Sequence, residues 1–189
     1  MSMVGYLVAV SPRQMEALKA DPDLAEELVN GLRDADMDEE EFDADEEATD
    51  IDEVFDFDEP VQESLCVEQA WDVLSYVVGG KADEAEFPAA FWFGGEPMGD
   101  DLGYGPGSLL DSQQTAELAQ FLQGFTTDQL KARVNLEDME KREVFFAIGI
   151  PEKHVESQTL FDIETHFPAL RDYVAKAAAA QHGLLIWLC

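Results

Sequence analysis

The chain opens on an uninterrupted apolar run. Met3 to Val10 is rich in β-formers and too short for a buried helix, so it predicts a strand. Ser11-Pro12 follows: serine offers an acceptor to the free N–H groups of a first helical turn, and proline suits its first position. Asp21-Pro22 repeats the signal and predicts a second helix over 23–30, with Gly31 as its C-cap. After a long polar interval, Val67, Trp71, Leu74 and Val78 recur at helical spacing and give a helix over 68–78 one buried face, stopped by Gly79-Gly80. Phe87 to Phe93 is short and aromatic, strand-like or packed as irregular core. From Gly94 to Gly107, six glycines and two prolines predict an ordered loop or a set of turns. Asp111 or Ser112 caps a helix to Gln123, with Gln114 placed for a capping box and Leu118, Phe121 and Leu122 on its apolar stripe. Thr127 caps another short helix, and Val144 to Ile150 predicts a strand. A helical region runs from about 160 to 181, where Pro168 starts a second half or kinks the first. Gly183 ends it, and Leu184 to Leu188 predicts a last buried strand.

Strands are few and separated by helices, which predicts an α+β fold: a small central sheet with helices packed on it. The N- and C-terminal strands are the most apolar and belong near the sheet centre. At 189 residues the chain suits one domain, 1–189, and can bury a core without a disulfide or metal staple.

Charge changes the picture most. With 42 acidic and 11 basic residues the net charge is −31. Residues 34–59 hold 16 acidic side chains and no basic one, so they carry about half of the excess. Like charges at helical spacing repel, and this segment is expected to be an acidic, mobile insertion, with a loop over 34–50 that rejoins the fold after Ile51. Val54 to Asp58 is a possible edge strand. So negative a field repels phosphate backbones and anionic lipids, and the expected partners exclude nucleic acid and membranes. Basic proteins and multivalent cations are what it attracts. Solubility or a salt-rich habitat explains the same charge with no partner at all.

The two cysteines, Cys66 and Cys189, form no metal or redox motif, and free thiols fit a reducing cytoplasm. The N-terminus lacks the basic start of a signal peptide, and no apolar run approaches the ~20 residues that span a bilayer. The expected location is the cytoplasm.

The glycine-rich stretch carries a family resemblance. Gly94-Gly95-Glu96-Pro97-Met98-Gly99, leading into Leu102-Gly103-Tyr104-Gly105-Pro106-Gly107-Ser108-Leu109-Leu110, resembles the YfbM-like family of bacterial proteins. The opening Met1-Ser2-Met3-Val4-Gly5-Tyr6, the Trp71-Asp72-x-Leu74 helix and the ending from Tyr173 through Ala177 to Leu188 are similar to it as well. The resemblance spans nearly the whole chain except the acidic segment. It implies an α+β fold and no established activity. Where the family pattern has a lysine and a histidine around the tryptophan, this chain has Gln69 and Ser75.

Candidate chemistry is sparse. Asp34-x-Asp36-x-Asp38 begins like an EF-hand loop, but its sixth position is Glu39 in place of glycine and its twelfth is Asp45. Diffuse divalent-cation binding to the acidic segment builds no designed site. His154, His166 and His182 show no metal-ligand spacing and read as surface or helix-end residues. There is no nucleophile elbow, P-loop or dinucleotide fingerprint, so neither cofactor nor metal is expected. The Gly103–Gly107 stretch reads as a structural turn anchored by Tyr104, or as a loop lining a pocket with Trp71, Asp72, Glu96 and Asp101. Two functions follow: a non-catalytic protein with an acidic surface for a basic protein partner, or an enzyme or small-molecule binder with a pocket near the Gly94–Gly107 loop and the Trp71 helix, those five residues being its candidate lining.

Overall fold

The computed structural model describes residues 3–36, 54–55, 59–79, 85–144 and 151–189. Two strands make its spine. β1 (Gly5–Val10) and β5 (Gly183–Leu188) pair antiparallel along their full length, from Gly5 opposite Leu188 to Val10 opposite Gly183. Further strands flank them: β2 (Leu65–Cys66) on β1, then β4 (Gly107–Leu110) on β5 and β3 (Glu96–Met98) outermost, giving the order β2-β1-β5-β4-β3 with every pair antiparallel. The chain's two ends thus meet at the sheet centre, as their apolarity predicts, and the fold is α+β.

Both sheet faces are covered, which is why the central strands read as continuous apolar runs. Side chains alternate across a strand. Val8, Val10, Leu185 and Trp187 face α1 (Pro12–Ala20) and α2 (Leu24–Asp36), packing with Leu18, Leu28 and Val29. On that face Tyr6 stacks on Trp187, its directly opposed partner, with ring centroids 5.3 Å apart. Leu7, Ala9, Leu184 and Ile186 face the larger layer: α3 (Ala70–Gly79), α4 (Ser112–Gln123), α5 (Thr127–Lys131), α6 (Leu136–Lys141) and α7 (Glu152–Ala179).

Local signals explain most boundaries. Ser11 and Asp111 each make a full capping box, with Gln14 and Gln114 returning the contact. Thr126, one residue earlier than expected, caps α5 in the same way. Several expectations need correction. Gly31 is no C-cap: α2 runs through it to Asp36, because Leu28, Val29 and Leu32 keep one face buried. The expected loop from residue 34 therefore starts as helix backbone. α7 begins at Glu152, well before residue 160, and continues past Pro168 as one 28-residue helix. Its buried face, which includes Val155, Ile163, Phe167, Leu170 and Val174, outweighs the backbone bond that proline removes. Gly183 is the first residue of β5, while the turn out of α7 falls on Gln181 (φ +61°). Residues 87–93 form turns, not a strand, with Phe91 and Trp92 buried.

β3 lies inside the stretch expected to be loop, and β4 starts on its last residue, Gly107. Glycine makes their approach possible: a Cβ on Gly95 would sit 2.5 Å from the Leu109 carbonyl oxygen. Val54 and Phe55 are buried in the α1–α2 layer but form a bend where an edge strand was expected; 56–58 lie outside the described residues. So do the acidic stretch 37–53 and residues 145–150 of the expected strand over 144–150, whose Val144 is buried but not in a strand.

Candidate functional site

Gly5 decides the architecture around the start of α3. A Cβ at this first β1 residue would lie 2.7 Å from the Trp71 Cβ and 2.9 Å from the Trp92 ring. Its absence lets both indoles close over the end of the central strands. Trp71 is held there by its Nε1–H, which donates to the Met3 carbonyl at 3.2 Å. Trp92 meets it at 6.1 Å and 69°, and Phe93 at 6.4 Å and 89°. Edge-to-face contacts of this kind are favourable for aromatic quadrupoles.

Two concavities flank the start of α3. The first is a recess of about 190 Å³ lined by Trp71, Asp72, Ser75, Trp92, Phe93 and alanines 85, 89 and 90. Phe93 stands at its rim and is 69% exposed, whereas its neighbour Phe91 is fully buried. The Ser75 hydroxyl donates to the Trp71 carbonyl at 2.7 Å, so it is already satisfied. The second is a cleft of about 400 Å³ between the start of α3 and α7, lined by Val4, Glu68, Gln69, Ala70, Gln158 and Asp162. Glu68 adopts φ +51°, a left-handed conformation that costs a bulky residue energy.

Asp162 is only 4% exposed. Its Oδ1 accepts from Gln158 at 2.7 Å, and its Oδ2 is buried without a hydrogen-bond partner. Burial pushes its carboxyl above the usual range; Gln158 and His166 pull the other way, and Glu68 adds to the rise.

Of the five residues singled out in the sequence, Trp71 and Asp72 share the aromatic recess, and the other three do not line it. Glu96 lies on the edge strand β3 and pairs with Lys19 at 3.2 Å. Asp101 organises the glycine turn, its Oδ1 accepting from Gly103 N–H at 2.9 Å and Gly105 N–H at 3.0 Å, and these bonds lower its carboxyl's pKa. Tyr104 is 39% exposed and is tied by its backbone N–H to the Leu188 carbonyl at 3.0 Å. The turn's apolar anchor is the buried Leu102, not the tyrosine ring.

Asp162 and Phe93 escaped the sequence reading. An acid between Thr159 and Ile163 on a helix's apolar face was the available signal for the first. Phe93 gave none, since it ends an aromatic run whose other members are core. Gln69 and Ser75 fall one in each concavity. His154 is exposed, and His166 and His182 are partly so. Among the described residues no three His, Cys, Asp or Glu side chains are grouped to hold a metal. Nor is any described helix long and apolar enough to cross a membrane.

The DUF1877 profile, a domain of unknown function, matches residues 1–187. The chain belongs to the DUF1877 family. Among solved structures it is similar to the crystal structure of YfbM from Escherichia coli, described as a protein of unknown function. That likeness covers 98% of this chain and 99% of YfbM, with a TM-score of 0.66 and 14% sequence identity. At that identity it bears on the fold, and it places this DUF1877 member in the YfbM-like architecture that the glycine stretch suggested. No curated protein matches the chain.

Proposed function

We propose that this DUF1877 protein is a non-catalytic binding protein whose acidic surface engages a basic protein partner. One observation carries the reading: the chain has an excess of 31 negative charges, and among the described residues most cations are engaged by the fold itself. Lys19, Lys131, Lys141, Arg142 and Arg171 pair with acids, and Arg33 and Arg133 donate to the carbonyls of Leu102 and Val77. A field of one sign accelerates encounter with an opposite partner and does so less as salt rises. Such a partner is expected to be retained by immobilised protein at low salt, in fixed stoichiometry, and released at high salt. A control protein of equal negative charge and unrelated fold should not retain it. Equal retention by that control, or none by either, refutes specific recognition.

A second reading, an enzyme or small-molecule binder with its pocket beside the Gly94–Gly107 loop and the Trp71 helix, is favoured by the recess at Trp71 and Asp72. Thermal shift against a metabolite panel tests it; a compound that raises Tm in the wild type but not in Trp71→Ala supports it.

A further inference from the structure

We propose that the recess beside α3 is an aromatic cage for an alkylammonium head group, presented by a lysine-derived side chain of the basic partner. The inference rests on the acidic-surface reading and names the point of contact. Trp71 and Phe93 stand at 89° to each other with centroids 6.4 Å apart, so their rings form two adjoining walls. Trp92, at 69° to Trp71 and only 3% exposed, backs the recess from behind them. The negative faces of such rings attract cations, and most strongly those that water holds weakly. The remaining described walls are alanines 85, 89 and 90, a serine whose hydroxyl is already bonded, and Asp72. No Lys, Arg or His is among them, and one carboxylate is.

Size narrows the ligand. A volume of about 190 Å³ is several times the ~30 Å³ of a water molecule. It falls below the ~300–1,000 Å³ of pockets that enclose whole metabolites. It suits a head group on a chain that leads outward. Charge narrows it again: the protein's net −31 opposes an anion. A hard divalent cation asks for several oxygen ligands, and this lining has one carboxylate and a committed hydroxyl. A methylated ammonium matches both the apolar walls and the field. Phe93, 69% exposed at the rim, leaves an aromatic face in water that such a group would cover.

The test uses the full chain and reads intrinsic tryptophan fluorescence. The ligands are choline, its neutral carbon isostere dimethylbutanol, and a basic peptide with and without a trimethylated lysine. Choline and the trimethylated peptide are expected to saturate the signal, about tenfold more tightly than the isostere and the unmethylated peptide respectively. Phe93→Ala, at an exposed position and with unchanged circular dichroism, should weaken choline about tenfold, and Asp72→Asn should weaken it as well. Tyr104→Ala should leave it unchanged.

Equal affinity for the isostere overturns the cage, as does the absence of saturation by any ligand or a Phe93→Ala variant that binds normally. The two readings fail separately. Salt-sensitive retention of a basic partner that ignores Phe93→Ala removes the cage and leaves the acidic-surface reading. Saturable choline binding with indifference to both peptides and to basic proteins keeps the cage chemistry and overturns its presentation by a partner.

Discussion

Removing one hydroxyl from α7 should loosen the edge of the central sheet. β2 pairs with β1 only at Tyr6 and Leu7, so further along β1 the Ala9 N–H meets no strand. The Tyr173 hydroxyl takes that place, accepting from Ala9 N–H at 2.9 Å and donating to the Glu63 carbonyl at 2.8 Å. It acts as a one-atom substitute for the missing β2 residues. Tyr173→Phe keeps the ring and deletes both bonds. A buried group left unpaired costs about 1–3 kcal/mol. Ala9 is buried, but the Glu63 side of the contact is open to water and borders a concavity lined by both residues and Tyr173, so its carbonyl regains a partner. The expected loss is therefore about 1–2 kcal/mol, or roughly 2–8 °C in Tm for a chain of this size. Urea unfolding with an unchanged m-value would measure it, and hydrogen exchange at the Ala9 amide would localise it.

The same hydroxyl sets a pH signature. Burial pushes the Tyr173 phenol up to about 12 from 10.0, the Ala9 N–H opposing this and the Glu63 charge adding to it. A folded pKa above the unfolded one favours folding while the phenol is protonated. That contribution is whole below pH 10 and is lost as pH rises toward 12. Two units correspond to about 3 kcal/mol at most. The stability gap between wild type and Tyr173→Phe should therefore narrow through that window. Equal stability of the two proteins at neutral pH, with the Ala9 amide equally protected, would refute the edge-capping argument.

Two more perturbations test other parts of the fold. Replacing residues 37–53 with a short Gly/Ser linker should preserve the circular dichroism and cooperative unfolding. Extending the deletion to 34–59 should cost at least ~3 kcal/mol, because it removes Val54 and Phe55 from the core they share with Leu18 and Leu28; equal stability of the two deletions would refute a structural role for that pair. At Asp162, burial raises the carboxyl's pKa above its unfolded value, with Gln158, His166 and Glu68 as the groups that act on it. Its favourable contribution is then present at low pH and lost as pH rises through the folded pKa. Asp162→Asn should gain stability relative to wild type as pH rises above the ordinary carboxylate range, and urea profiles of the two proteins that stay parallel from acid to neutral pH would contradict this.

Local chemistry and apolar periodicity made the spine of this fold legible. The strands at both chain ends, the Ser11 and Asp111 caps and the tryptophan helix each carry their own signal within a few residues. The misses share another cause. Gly31 and Pro168 are breakers by propensity, yet α2 and α7 pass through them because tertiary burial of one face decides. β3 and β4 were hidden because the glycines that allow close strand approach are the residues that signal turns.

The same logic separates the two halves of the candidate site. Trp71 was visible because it repeats at helical spacing with Val67, Leu74 and Val78. Phe93 was not, because its exposure is set by the turns after Glu86, whose bonds bury Phe91 and Trp92 and turn the next ring outward. Tyr104, Glu96 and Asp101 looked equally promising in one dimension. In three, Asp101 spends its carboxylate on two glycine N–H groups and Glu96 pairs with Lys19, so local structure already accounts for both. An aromatic side chain that packing leaves in water, next to two that packing fixes, has no such account. That contrast, more than the charge of the chain, is the reason the proposed partner contact is placed at the α3 recess.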